Sequence, residues 1–559
     1  MLEGCTPWPE EFATRYRAAG FWRGESLPDL LRQWCRRFGS RCALVHGSLR
    51  LSYHDLDHRV DRMAAGFLAR GIRAGDRVVV QLPNTPEFVV VCFALFRIDA
   101  KPVFSLLAHR SLEIGHLCSI SGAVGYVVPG RHQGFDYTAL AAKVMDSSPT
   151  LRHVFVLDGS APDPGPDGGA VAGFTALDAV DADPAPVPQR LPDPSDVAFF
   201  LLSGGTTALP KLIPRTHDDY AYQFRATARI NGVTGDDVYL AVLPVEFNFA
   251  WGCPGVLGTL NAGGTVVLVD GPDPDECFEL IHAERVTFTS LVPSLAQLWL
   301  DAVEDFPFDG TSLRTIQIGG APLPQEVAER IGPAFGCRLQ QVFGMAEGLL
   351  SVTRDSDSAE TVTKTQGRPA SPMDEIRIVD ESGTEVAPGQ QGELLTRGPY
   401  TLRGYYRASE HNARAFTDGG FYRTGDVARL TEDGQLVIEG RIKDVIIKGG
   451  GKVSAAEVEE HLLTHPGVDR VAVIGVPDPY LGELVCAVVR PTGRPPSLRE
   501  LRKALHERGL ADYKLPDVLE FTADLPLTGI GKVDKALLAK QATALREADA
   551  PRTDRDPKD

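Results

Sequence analysis

Long apolar runs are what this 559-residue chain lacks most plainly. Its most apolar window, Phe88 to Phe96, ends at Arg97 and falls far short of the roughly 20 residues a membrane span needs. That window reads as a core helix. The N-terminus, MLEGCTPWPEEFATRY, has neither the basic stretch nor the apolar stretch of a secretory signal. An excess of positive charge is missing too. With 57 Lys+Arg against 74 Asp+Glu the formal charge is −17, which argues against nucleic acid or an anionic membrane as partner, since both select basic surfaces. A small anionic substrate, needing only local cations, stays possible. The nine cysteines lack paired spacing, so neither a disulfide framework nor a zinc site is indicated. These absences predict a soluble, cytoplasmic protein.

What is present is ordinary globular composition, 43% hydrophobic and 23% charged, in a chain long enough for roughly three or four domains. Trp34 to Leu68 reads as helical, with a short extended break at Leu51–Tyr53. Asp76–Leu82, then a helix from about Glu87 to Ile98, then Val103–Leu106 make a strand–helix–strand unit, hence a mostly parallel sheet with covered faces. Residues 158 to 196, dense in Pro, Asp, Ala and Gly, read as a surface excursion. Further strands recur at Val238–Val242, Thr265–Val269, Val286–Leu291 and Thr315–Gly319. From about Glu375 the strands shorten and alternate, which suggests a β-subdomain. Beyond residue 440 a compact α+β domain follows, with helices near Ala455–Leu463 and Ser497–Arg508. The segment from Ala544 is charged and poor in apolar residues, and is expected to be disordered.

The chemistry concentrates after the strand Val197–Leu201. Ser203-Gly204-Gly205-Thr206-Thr207-Ala208-Leu209-Pro210-Lys211 combines glycines that can turn N–H groups toward an anion, hydroxyl donors and a terminal lysine. It fits a nucleotide triphosphate cradle, though not one of Walker type, which closes on Gly-Lys-Ser/Thr. A plain Ser/Thr/Gly turn would look the same in isolation. Gly319-Gly320-Ala321 places small residues at a strand end, where a ligand can approach. Val342-Phe343-Gly344-Met345-Ala346-Glu347 offers one carboxylate suited to Mg²⁺ on phosphate oxygens. Asp426, in Tyr422-Arg423-Thr424-Gly425-Asp426, suits a ribose diol, and Arg441 can donate to ribose or phosphate. Lys532 stands on a glycine-flanked loop. Each of these alone has a bland reading as a solvated loop, a turn aspartate or a hairpin.

In this order the segments resemble the adenylate-forming superfamily of acyl-CoA synthetases, luciferases and nonribosomal adenylation enzymes, over about residues 5 to 540. The resemblance implies an α/β fold with a large N-terminal domain (1–440) of mostly parallel sheets plus a β-subdomain. It adds a small mobile α+β C-terminal domain (441–543), hinged at Lys443, and a disordered tail (544–559). It implies that Ser203 to Lys211 is the phosphate loop, with Ala208 where glycine is usual. Gly319, Gly320, Ala321, Val342, Phe343 and Gly344 join the ATP site, and Glu347 ligates Mg²⁺. Asp426 and Arg441 bind ribose, and Lys532 contacts carboxylate and α-phosphate during adenylation.

QLPNTPEF, LIPRTHDDY, QQVFGMAEG, TRGPYTLRGYY and HNARAFTDGGFYRTGD look closer still to stand-alone aryl-acid adenylating enzymes of siderophore and nonribosomal peptide pathways. In that subgroup an asparagine meets the hydroxyl ortho to the carboxylate, and Asn248 keeps the position, offering donor and acceptor together. Phe249, Cys253 and Gly320 would line the acid pocket. Phe247 stands where histidine is usual, and Ala250-Trp251 where a Pro-Leu pair is. Cys253 stands where dihydroxybenzoate enzymes tend to have serine and salicylate enzymes cysteine. The choice of ring stays open: salicylate, 3-hydroxyanthranilate, 3-hydroxypicolinate and 3-hydroxyquinaldate all present an ortho hydroxyl or a similar polar neighbour. With no carrier segment after residue 540, the expected acceptor is the phosphopantetheine thiol of a separate carrier protein. An aryl-CoA ligase and a silent nucleotide-binding scaffold are the rival readings.

Overall fold

The computed structural model describes residues 1–157, 173–184, 192–203, 209–304, 308, 310–321, 323–380, 382–441, 445–526, 533 and 535–549. The chain divides into two compact units, Met1–Ser203 with Pro210–Ile442, and a second that contains Lys443–Asp559.

Among the described residues, the first unit holds two large sheets and one small one. The seven-stranded sheet runs in the order Leu212–Thr216, Val197–Leu202, Lys101–Phe104, Arg77–Val80, Gly125–Val128, His153–Val156, Phe174–Ala176. Only its first pair is antiparallel. The nine-stranded sheet runs Arg368–Pro369, Leu350–Val352, Arg338–Gly344, Thr315–Gly319, Phe288–Leu291, Val238–Ala241, Thr265–Leu268, Cys42–His46, Leu49–Ser52, parallel through its six central strands. The expected parallel α/β architecture is therefore present. An antiparallel sheet of Glu375–Val379, Gly392–Arg397, Tyr422–Leu430 and Leu436–Arg441 forms the β-subdomain.

The apolar window becomes the helix Pro86–Arg97, buried at every position but Glu87. It touches Lys101–Phe104 of one large sheet and Cys42–His46 of the other, so apart from Glu87 in its first turn it is buried on all sides and apolar almost throughout. Fully burying each such side chain stabilises by about 1.5–3 kcal/mol. Its one buried charge, Arg97, is met by Asp57 at 2.7 Å and Asp61 at 2.6 Å from the neighbouring helix Tyr53–Ala69.

The second unit pairs Val445–Lys448, Gly451–Ser454, Val468–Asp478, Gly482–Pro491 and Val518–Phe521 into one sheet with helices Ala455–Leu462, Leu498–Glu507 and Lys535–Asp549. The glycine- and lysine-rich stretch near residue 450 is a hairpin, with Gly449 and Gly450 at φ 55° and 81°.

Two expectations need correction. The Trp34–Leu68 stretch contains the strands Cys42–His46 and Leu49–Ser52, between helices Leu27–Phe38 and Tyr53–Ala69. These strands are too short to break a helical period, and edge pairing plus the long-range partner Thr265–Leu268 hold them. At the other end, the helix Lys535–Asp549 runs past Ala544, so the first residues of the tail expected to be disordered are helical, and the rest of that tail, 550–559, lies outside the described residues. Leu538 and Ala542 on its inner face pack on Ala472, Ile474 and Val476, which the local composition does not reveal.

Candidate active site

Strand pairing builds the base of the glycine-rich loop. Ser203 and Lys211 close it, Ser203 N–H donating to the Lys211 carbonyl at 2.9 Å and Lys211 N–H to Ser203 Oγ at 3.2 Å. Gly204, Gly205, Thr206, Thr207 and Ala208 lie outside the described residues, as do Lys443 and Lys532.

Lys211 Nζ sits 5.8 Å from the ring centroid of Tyr405, within reach of a cation–π attraction. The Tyr405 hydroxyl donates to Glu347 Oε1 at 2.8 Å and shares a 2.8 Å hydrogen bond with the Tyr422 hydroxyl. Burial, then the Glu347 charge, push the Tyr405 phenol well above its ordinary pKa, so it stays a donor. Tyr422 opens the strand Tyr422–Leu430, in which Asp426 pairs across the ladder with Arg441. The loop-closing Lys211 and the metal-ligand candidate Glu347 are thus joined through Tyr405, and Tyr422 opens the strand that carries Asp426. Neither tyrosine was given a role from sequence, because the residues they meet are distant along the chain and come together only in the fold.

Gly319 ends its strand beside Val342. A Cβ there would stand 2.3 Å from the Val342 carbonyl oxygen and 3.3 Å from the Phe249 ring, and Gly320 follows at φ +89°. Only glycine permits that close approach of strand end, Val342 and Phe249. Phe249 itself packs with Leu243, Ala250, Val292 and Leu295.

The short helix Asn248–Gly252 presents Asn248. Its Oδ1 accepts from the Tyr220 hydroxyl and from Gln223 Nε2, both at 2.9 Å, and its Nδ2 donates to the Met345 carbonyl at 3.2 Å. The expected donor-and-acceptor pair is thereby reduced, since the oxygen is already occupied. Cys253, buried, donates its thiol to the Asn248 carbonyl at 3.2 Å, and Gln223 Nε2 reaches its sulfur at 3.5 Å. Burial raises the Cys253 thiol far above its ordinary pKa, so it acts as a neutral wall. Trp251 turns away into the core, edge-on to Phe88 and Phe104.

Behind Asn248 lies Arg215, fully buried. It donates to Asp219 at 2.9 Å, to Gln223 Oε1 at 2.8 Å, to the Ala346 carbonyl at 3.2 Å and to the Tyr400 carbonyl at 3.3 Å. Asp219 doubles as the N3 residue of the capping box that starts the helix His217–Ile230, Thr216 being the N-cap. The turn Met345–Glu347 is therefore gripped from both sides, by Asn248 and Arg215 on one and Tyr405 on the other.

A hydroxyl-lysine loop base, a buried carboxylate, and Asp426 opposite Arg441 in the backbone ladder fit the class of nucleotide-using, adenylate-forming enzymes. Comparison with known proteins agrees. The AMP-binding enzyme family matches residues 31–406, and the AMP-binding enzyme C-terminal domain matches residues 457–532. The chain belongs to the AMP-binding enzyme family. It is 50% identical over 98% of its length, and 98% of the relative's, to a 2,3-dihydroxybenzoate-AMP ligase of Bacillus subtilis. It is 48% identical, over 96% of its length and 97% of the relative's, to a salicylyl-CoA synthase / salicylate adenylyltransferase of a Streptomyces species. Its fold matches the apo structure of MbtA from Mycobacterium smegmatis with a TM-score of 0.74 at 47% identity, covering 96% of this chain and 99% of that one. Among the described residues no helix is long and apolar enough to cross a membrane.

Proposed function

We propose that this enzyme activates an ortho-hydroxy aromatic carboxylic acid with ATP, giving an aryl-adenylate and pyrophosphate, and passes the acyl group to the phosphopantetheine thiol of a carrier protein. The observation that carries the reading is the convergence on Met345–Glu347: Asn248 and Arg215 reach it from the acid side, Tyr405 from the side of Lys211. An acid held at Asn248 and a triphosphate held at Lys211 would meet there, as an in-line attack of carboxylate on α-phosphate requires.

In this reading the 203–211 loop binds the phosphates, Asp426 and Arg441 bind the ribose, and Gly319, Gly320, Ala321, Val342 and Phe343 line the adenosine side. Lys532 is brought to the reacting carboxylate and α-phosphate by the C-terminal domain, residues 441–543, turning at Lys443. Glu347 fits Mg²⁺. Among the described residues no group of three or more His, Cys, Asp or Glu could cage a metal, and a single buried carboxylate suits an ion held largely by substrate phosphates. Bound there, the ion would neutralise phosphate charge. The pocket walls exclude water from the mixed anhydride. The name of the Streptomyces relative favours free CoA as a second possible acceptor.

The test is ATP–pyrophosphate exchange across benzoate, salicylate, 2,3-dihydroxybenzoate, 3-hydroxyanthranilate, 3-hydroxypicolinate and 3-hydroxyquinaldate, then product analysis with CoA against carrier protein. Strong exchange with one ortho-hydroxy acid is expected. Lys532→Ala should slow exchange about 10²–10³-fold, as loss of one preorganised donor does. Unchanged exchange in that variant removes Lys532 from the chemistry. Asn248→Ala should harm ortho-hydroxy acids more than benzoate, and equal losses would remove it from recognition.

A further inference from the structure

We propose that Arg215 and Gln223 are positioning residues that set the polarity of Asn248. They make the pocket present an N–H, never a carbonyl, to the substituent ortho to the carboxylate. The inference rests on the reading of Asn248 given above and deepens it.

The argument is one of obligate donors. A guanidinium has five N–H donors and no acceptor. Arg215 donates to Gln223 at 2.8 Å, so the atom facing it is the amide oxygen, Oε1. The amide nitrogen of Gln223 then points the other way, into Asn248 at 2.9 Å, with Gly252 O at 3.2 Å as a second acceptor. Facing a donor, Asn248 must turn its own oxygen toward Gln223. Its nitrogen lands on the Met345 carbonyl at 3.2 Å, which as an acceptor demands the same orientation. Both ends of the chain agree. Tyr220, whose hydroxyl can donate or accept, follows along at 2.9 Å.

Every member is buried, so a reversed amide would set donor against donor or acceptor against acceptor with no water to relieve it. Arg215 is itself locked, its charge met by Asp219 and two further N–H groups by the Ala346 and Tyr400 carbonyls. An amide carries two N–H groups, and Met345 takes one. The other is the group left for a ligand.

This predicts a chemical preference that shape alone does not. In an ortho-hydroxy acid the phenol proton turns inward onto the carboxylate, leaving oxygen lone pairs outward as acceptors. In the ortho-amino analogue, nearly the same size, one N–H turns inward and the second points outward as a donor. The relay welcomes the first and opposes the second.

The experiment measures kcat/KM for ATP–pyrophosphate exchange with matched acids on whichever ring the enzyme accepts: salicylate against anthranilate, or 3-hydroxypicolinate against 3-aminopicolinate, with the unsubstituted acid as baseline. The wild-type enzyme should favour hydroxy over amino by about tenfold to a hundredfold, the cost of a buried unsatisfied polar group. Gln223→Met, which breaks the relay, should bring that ratio to within about threefold of unity while the unsubstituted acid changes little. Equal turnover of hydroxy and amino acids by the wild type overturns the proposal. So does a Q223M variant that keeps the wild-type ratio, or that loses all three acids in proportion. Asn248→Ala run alongside separates the two claims. If it abolishes the preference and Q223M does not, Asn248 reads the substituent and the relay falls. If it leaves the preference intact, the reading of Asn248 falls as well. The wild-type comparison needs no substitution, so it stands even if Q223M fails to fold.

Discussion

Two buried ionisable groups of the larger unit are treated in opposite ways. Around Arg215, the charge is paired with Asp219 and hydrogen bonds lead on to Gln223, Ala346 and Tyr400. Burial pushes the Asp219 carboxyl upward, and Arg215 with the Thr216 donors pulls against it. Glu246, two residues before Asn248, has no charged partner and is met only by backbone N–H groups, its own and that of Leu107. Its Oε2 finds no partner among the described residues, and burial pushes its pKa up to about 8. A buried charge is kept ionised where its directional bonds fix something, here an amide beside the pocket. Where only backbone donors and no charge meet it, the side chain is better off holding its proton.

The largest effect that tests this contrast comes from Arg215→Met. Removing one partner leaves Asp219 buried and uncompensated, and urea unfolding should show a loss of about 3–5 kcal/mol. A loss under about 1 kcal/mol would mean that the cluster is no more committed than Glu246. Smaller is Tyr405→Phe, which takes from buried Glu347 its hydrogen-bond donor and turns a satisfied site into one resembling Glu246. The same measurement should give about 1–3 kcal/mol. Unaltered stability would show that the 2.8 Å bond contributes nothing net.

Smallest is Glu246→Gln. The folded-state pKa is raised from 4.5 to about 8, so the folded protein holds the extra proton between those values. That contribution to stability is full below the unfolded pKa and is lost as pH rises through about 8. Tm of the wild type should therefore fall across this window. E246Q, which cannot ionise, should fall less, by a few degrees at about pH 8.5. Asp374, raised by burial to about 7, adds a loss in the same direction that the variant keeps. Parallel pH profiles for the two proteins would put Glu246 in a solvated setting.

Much of this was legible in the chain. Thr315–Gly319 is a strand at its expected bounds, and Phe88–Phe96 lies in the buried helix it suggested. β-branched runs between turns, and a helix apolar almost throughout, announce themselves locally. Asn248 could be found because its neighbours match a family pattern. Its orientation could not, because Arg215, Gln223 and Met345 are scattered along the sequence and meet only in the fold. Tyr405 and Tyr422 were given no role for the same reason, and the helical end of Lys535–Asp549 escaped notice because its partners lie in the strand Val468–Asp478.

By itself the sequence determined the parallel α/β class, the family and the kinds of group available for the chemistry, since periodicity, glycine placement and motif order are properties of neighbours along a chain. Which hydrogen-bonding atom each group turns toward the substrate was decided only by tertiary structure. A buried amide takes its direction from whatever donors and acceptors packing places around it, and here the last of those is a guanidinium that can only donate.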